Sequence, residues 1–278
     1  MAAGDQVLDV LYHYTSQKGL LGILQKKEVW ATQIQYLNDE VEFSHAWSVL
    51  LDTFPPPAER DPMESSMISQ VTKVLPGANF HVCVCSLSEL DDELSQWRAY
   101  CSPGSGFSVG FLVEDLKALV KKTGWQLIQC TYDPAAQIKL VTELFKKHLE
   151  LYSKIVEYFG GEVPAAKESI DEQIDKFIEE FVALAPRIKH PSFKGEMEWR
   201  MVSPPIPSDK LQFREGRHTV IPYFPLTYYE TGPCPLRAIT VGPGFHLRVA
   251  AESVRSILFK EGWPGCEVRL TKGTVRDW

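Results

Sequence analysis

Three clusters of polar side chains, each set into apolar surroundings, carry the chemistry that this sequence offers. The first is Lys194-Gly195-Glu196-Met197-Glu198-Trp199-Arg200-Met201-Val202. Read as a strand, it places Glu196, Glu198, Arg200 and Val202 on one face and Met197, Trp199 and Met201 on the other. Glu198 and Arg200 then stand about 7 Å apart along the strand. Such a pair is either a salt bridge on a sheet face, or a general base or electrostatic stabiliser beside a phosphate clamp. The second cluster is His13 with Tyr12, Tyr14 and Thr15, and the third is Ser95-Gln96-Trp97-Arg98 with Tyr100. Each has an ordinary structural alternative: a hydrogen-bonded strand histidine, core aromatics at helical spacing, a surface ion pair.

The elements that must position these residues can be read from periodicity and punctuation. Val10 to Thr15 alternates as a strand, and Ser16 is the N-cap of a helix carrying Leu20, Ile23 and Leu24. An extended piece from Trp30 to Leu37 ends at the turn signal Asn38-Asp39-Glu40, and 42–51 reads as helix. A loop opens at Phe54-Pro55-Pro56-Pro57 and runs to about Pro62. Phe80 to Ser86 alternates, an acidic loop follows, and Leu94 to Tyr100 reads as a helical turn. After the Gly104-Ser105-Gly106 connector, Phe107, Val109 and Phe111 share one strand face, followed by a helix over 115–122 and a strand over 126–132.

From Asp133-Pro134 the pattern becomes helical for two long segments, parted by Gly160-Gly161 and closed by Pro186. They read as a helical hairpin, 134–186, inserted into one elaborated domain spanning 1–278. Beyond the Glu198 strand come Phe213-Arg214, Val220 to Tyr223, a strand over 236–241, a helix over 249–260 and a last strand over 267–270. Strands and helices intermix without regular alternation, so the expected class is α+β with a mainly antiparallel sheet.

Composition narrows the function. With 29 basic and 36 acidic residues and a net charge of −7, a constitutive nucleic-acid coat is not expected. No apolar run is long enough for a membrane span, and Met1 to Asp5 has neither the basic region nor the apolar core of a secretion signal. A cytoplasmic protein is expected. The six cysteines include no CxxC pair, and no Cys/His group has zinc-ligand spacing, so reduced thiols and no metal are expected. Gly104, Gly106 and Gly110 do not form a GxGxxG loop, and no phosphate-binding GxxxxGK[ST] or GxSxG elbow is present.

Over most of its length the chain resembles a widespread bacterial family of domains of unknown function. The segments that carry the resemblance are Leu11 to Ser16 with Gly19 to Leu24, Tyr36 to Asp39 with Glu42, and Cys85-Ser86 leading to Gln96-Trp97-Arg98-Ala99-Tyr100. Further ones are Gly106-Phe107 with Gly110-Phe111, Lys194 to Arg200, and Ile221-Pro222-Tyr223. The opening motif is also similar to the first strand of the ADP-ribosyltransferase superfamily. That similarity implies an ADP-ribosyltransferase-like fold in which NAD is a substrate. It implies that His13 contacts the ribose and that Glu198 performs the chemistry. Trp97 or Tyr100 would fill the aromatic role beside the nicotinamide. Tyr14 and Thr15 would line the NAD site, with Arg98, Arg200 or Arg214 on the pyrophosphate. The inserted hairpin and the helical setting of Trp97 depart from that superfamily's pattern.

Cleavage of the nicotinamide–ribose bond would suit such residues, because the state reached is oxocarbenium-like and the leaving nicotinamide needs no general acid. The expected activity is therefore NAD-dependent ADP-ribosyl transfer or NAD hydrolysis. The acceptor would be a protein or a nucleic acid, and the role that of a toxin or phage-defence effector. Two alternatives stand beside it: a non-catalytic nucleotide- or protein-binding module of the same fold, and a metal-free nuclease or phosphodiesterase. The first reading expects His13 and Glu198 to line one cleft.

Overall fold

Alternation of β-branched and aromatic residues with polar ones builds strands that can bury one face, and these strands hold His13, Glu198 and Arg200. The structure, a computed structural model, describes residues 8–37, 42–75, 81–101, 105–161, 166–216, 218–230 and 233–273. The readings made on Met1 to Asp5, Asn38-Asp39-Glu40, Phe80 and Gly104 lie outside these residues. By their internal contacts the residues form two compact units. The first comprises 1–38, 83–130 and 193–278, the second 39–82 and 131–192.

The first unit is α+β. Its strands are β1 (Val10–Thr15), β2 (Glu28–Gln33), β3 (Cys83–Ser88), β4 (Phe107–Leu112), β5 (Gln126–Gln129), β6 (Glu198–Val202), β7 (Gln212–Glu215), β8 (Val220–Thr227), β9 (Leu236–Val241) and β10 (Glu267–Leu270). They make one ten-stranded sheet in the order β10-β9-β4-β1-β3-β2-β8-β7, with β6 on β3 and β5 on β6. Every named pairing is antiparallel except β9 with β10. Its helices are α1 (Gln17–Leu21), which runs into a single π turn, α4 (Leu94–Tyr100), α5 (Val113–Thr123) and α8 (Leu247–Lys260).

One sheet face is the apolar one. Leu11, Cys85, Leu87, Val109, Phe111, Met201 and Ile239 bury there against Leu20, Ile23 and Leu24, against Leu116 and Val120 of α5, and against Val254 and Leu258 of α8. This is the alternation read for β4, with Phe107, Val109 and Phe111 together. Ser16 caps α1 as its type predicts, accepting from the Gly19 amide at 3.3 Å.

The second unit is helical among the described residues: α2 (Glu42–Leu51), α3 (Pro62–Val74), α6 (Pro134–Tyr158) and α7 (Lys167–Leu184). The stretch read as a hairpin lies here, and α6 and α7 pack on one another and on α3, with α2 against α6. Asp133 caps α6 by accepting from the Ala136 amide at 2.9 Å, and Gly160 and Gly161 take the left-handed backbone that ends it. Phe145, Phe177, Phe181 and Trp47 form an aromatic row, with ring centroids 5.7 to 6.0 Å apart. No helix among the described residues is long and apolar enough to cross a membrane.

Two readings are corrected, and one helix is new. Met197 does not extend the Glu198 strand: it lies before β6, 40 % exposed, with a left-handed backbone at φ 45°. The strand read over 126–132 stops at Gln129, where Thr131 bridges to Ile188 instead. Helix α3 was not anticipated, although Asp61 before Pro62 is a sound helix start: its carboxylate accepts from the Met63 amide at 2.8 Å.

Candidate functional site

β3 is paired unusually, and the site follows from it. One edge is taken by β6, in register from Val84↔Val202 to Ser88↔Glu198. The other edge is shared by two strands: β1 meets it at Tyr12↔Ser88, β2 at Thr32↔Val84 and Gln33↔Cys83. Between those contacts β1 and β2 diverge, and a cavity of about 550 Å³ opens in the fork. Its walls include His13 and Thr15 of β1, Trp30 and Thr32 of β2, Cys85 and Ser86 of β3, Tyr100 of α4, and Arg214 of β7. All belong to the first unit. The volume is that of an ordinary small-molecule site.

The fork leaves main-chain groups of β3 without a strand partner, and His13 answers one of them. Its Nδ1 donates to the Ser86 carbonyl at 2.9 Å, which fixes the proton on Nδ1 and leaves the Nε2 lone pair uncommitted. Burial, and to a lesser extent the Arg214 cation, hold the imidazole below its ordinary value, so it is neutral at pH 7. Thr15 shares the His13 face of β1, and α1 can lie against it because residue 19 is glycine. A Cβ there would stand 2.0 Å from Thr15 Oγ1.

Arg214 is, with Lys18, a cation of the pocket wall. Its Nη2 donates to Thr32 Oγ1 at 3.1 Å, while its Nε is buried without a hydrogen-bond partner. No carboxylate among the described residues pairs with it, and burial lowers its pKa without discharging a guanidinium. The aromatic wall is Trp30, whose ring lies 5.0 Å from that of Tyr223 and 5.8 Å from Lys18 Nζ. Trp30 Nε1 is a second buried donor without a partner. Such orphan donors are costly unless something accepts from them, and here both stand on residues that wall a cavity.

The candidate residues divide. His13, Tyr14, Thr15 and Tyr100 line the pocket, although the Tyr14 phenol turns away to donate to the Leu90 carbonyl at 2.9 Å. Trp97, Arg98, Glu198 and Arg200 do not line it. Trp97 is buried beside Tyr14, with centroids 4.6 Å apart and Nε1 donating to Asp92 at 2.8 Å, and Arg98 is exposed.

Glu198 and Arg200 do share a strand face, as alternation demands, and form a two-point pair: Nε to Oε1 at 2.8 Å and Nη2 to Oε2 at 3.1 Å. Both are only 2 % exposed. The expectation that His13 and Glu198 line one cleft is not met. Register places Glu198 with Ser88 and Tyr12, so His13, one residue further along β1, leaves the opposite face beside Cys85.

A protein-family model described as "Protein of unknown function (DUF2971)" matches residues 96–201, from α4 to β6. A DUF2971 domain is found there. No curated protein and no solved structure matches the chain. The DUF2971 span contains Trp97, Arg98, Tyr100, Glu198 and Arg200, but His13, Thr32 and Arg214 lie outside it. The description of the family assigns no activity and does not point to ADP-ribosyltransferases.

Sequence reasoning missed Trp30, Thr32 and Ser86 as pocket residues and named Arg214 only as one of three candidate arginines. A local signal existed for Arg214: a guanidinium in a short extended segment that ends at Glu215-Gly216. Nothing local marks Ser86, whose role depends on where β1 and β2 part. Among the described residues no group of three or more His, Cys, Asp or Glu is placed to hold a metal ion.

Proposed function

We propose that the fork between β1 and β2 is the functional site, and that it binds a nucleotide of the NAD class. The observation that carries this reading is Arg214: a half-buried cation on the pocket wall, with a buried, unsatisfied Nε and no carboxylate partner among the described residues. A phosphate satisfies such a guanidinium by parallel charge-assisted hydrogen bonds. The rest of the wall complements the rest of a nucleotide. His13 adds an Nε2 acceptor to the wall, and Trp30 or Tyr100 offers a face to a base. The similarity of the His13 motif to the first strand of ADP-ribosyltransferases supports NAD in particular. It also supports cleavage of the nicotinamide–ribose bond, with transfer to a protein or nucleic-acid acceptor or to water.

Glu198 is not the carboxylate proposed for that chemistry: it does not line the pocket and is buried against Arg200. Glu215, next to Arg214 on β7, is an exposed carboxylate that reaches the pocket. The position of Glu198 also favours a second reading, a nucleotide-binding module without turnover. A thermal-shift titration with NAD, ADP-ribose and nicotinamide, together with an assay for nicotinamide release, tests the site and separates the two. Ligand at about 100 times its dissociation constant adds nearly 3 kcal/mol of stability. No shift with NAD or ADP-ribose rejects the nucleotide site; a shift without nicotinamide release leaves the binding module.

A further inference from the structure

We propose that His13, through Nε2, is the proton acceptor of this pocket, taking the proton of the attacking hydroxyl or water. The proposal rests on the NAD reading above and assigns within it a residue whose part was only to touch the ribose. Three observations converge on Nε2. The Ser86 carbonyl holds the proton on Nδ1 at 2.9 Å, so Nε2 carries the lone pair. Nε2 makes no hydrogen bond to any described residue, although His13 lines a cavity that also holds a cation for phosphate. Glu198, the other candidate base, leaves the sheet on the far side.

The neighbours of His13 decide which form it takes. The titratable and charged groups that share its pocket are Tyr14 on β1, Cys85 on β3, Arg214 and Glu215 on β7, Lys18 on α1, Tyr36 and Tyr100; on β4 its partner is Val109. Burial first, then Arg214, favours the neutral imidazole, so the basic form is present at neutral pH and below it. A cysteine–histidine nucleophile is the obvious rival, since Cys85 Sγ lies 3.6 Å from His13 Nδ1. It fails on two counts: Nδ1 already serves Ser86, and burial pushes the Cys85 thiol up to about 12.

The step balances without any further reagent. The oxygen of the acceptor hydroxyl, or of water, bonds to C1′ of the ribose as the C1′–N bond to nicotinamide breaks. The bonding pair leaves with nicotinamide, which becomes neutral. The hydroxyl proton passes to Nε2, and the imidazolium, repelled by Arg214, returns it to solvent.

The test is nicotinamide release against pH by the full chain and by His13→Gln, with NAD binding measured in parallel. The parent is expected to show an acid limb in kcat/KM with an apparent pKa below 6.5. His13→Gln is expected to bind NAD, to lose at least about 100-fold in kcat, and to lose the acid limb. Parental turnover in His13→Gln, or an unchanged acid limb, overturns the proposal and leaves the nucleotide site standing. A parent that binds NAD without cleaving it does the same. Absence of NAD and ADP-ribose binding to the parent removes both. Should His13→Gln not fold, the imidazole nitrogens of the parent decide the matter in a long-range ¹H–¹⁵N spectrum. An unprotonated Nε2 that shifts on ADP-ribose binding supports the proposal, and a proton on Nε2 overturns it.

Discussion

His13 and Glu198 project from opposite faces of one sheet. The line Tyr12↔Ser88↔Glu198 crosses three strands in register, and His13 is the next residue along, turned the other way. Alternation therefore places the imidazole in a pocket and the carboxylate in a buried ion pair.

Replacing Arg214 tests the pocket most directly. Arg214→Ala removes the one guanidinium among the described residues that lines the cavity while leaving the apolar sheet face untouched. Loss of a charge-assisted contact of about 1.5–3 kcal/mol weakens nucleotide binding roughly 10- to 100-fold. Calorimetry with ADP-ribose measures it, and Arg214→Lys should recover only part, because an ammonium cannot form the two parallel bonds. Equal affinity in Arg214→Ala would place the ligand elsewhere.

Glu198 should matter for stability. Glu198→Gln removes the carboxylate that meets Arg200 at 2.8 Å in a buried pair, at a cost of about 3–5 kcal/mol. Replacing both residues with Met or Leu should cost markedly less than the single change. Urea unfolding of the three variants reads this out. A single variant as stable as the parent contradicts the buried pair, whereas nucleotide binding at the fork should be unaffected wherever Glu198→Gln still folds.

Gly242 follows β9 and lies under the Trp97 ring. A Cβ at 242 would stand 2.8 Å from two ring carbons of Trp97 and 3.1 Å from the Gly106 carbonyl oxygen. Trp97 cannot yield easily, being packed on Tyr14 and bonded to Asp92. Gly242→Ala is therefore expected to destabilise by about 1–3 kcal/mol, the usual cost of overpacking. Intrinsic tryptophan fluorescence and the urea midpoint should change together; an unchanged midpoint would mean that the contact relaxes freely.

Stability should fall on mild acidification. His13, His45 and His148 are all held below the ordinary imidazole value, chiefly by burial. A group whose folded value is depressed contributes fully above its unfolded value of 6.5, and loses that contribution as pH falls and the unfolded chain takes up protons. Urea midpoints on either side of pH 6.5 should differ, with the lower midpoint on the acid side, and His148→Gln should flatten the dependence. A midpoint that rises on acidification would reverse the sign.

What the sequence disclosed is whatever depends on neighbours in the chain. The Phe107-Val109-Phe111 face, the Ser16 cap and the Glu198–Arg200 pairing follow from alternation and capping chemistry, and the structure has all three. The two long helices parted by Gly160-Gly161 were legible for the same reason. The fork was not, because it arises from β1 and β2 sharing one edge of β3, a pairing between segments 50 to 76 residues apart. Without it Trp30 and Thr32 are ordinary strand residues, and His13 and Glu198 can be imagined in one cleft. Chemical type pointed to both residues; strand order separates them.

The bond from His13 to the Ser86 carbonyl makes a main-chain group part of the floor of the fork. A peptide carbonyl is the same whichever residue stands at 86, so the base of the site is insulated from mutational drift. Preference for one ligand over another can then be retuned at Trp30, Tyr36, Tyr100 and Arg214 while the strand framework beneath stays fixed. The fold thus separates two demands that usually compete: a permanent socket, and walls free to vary.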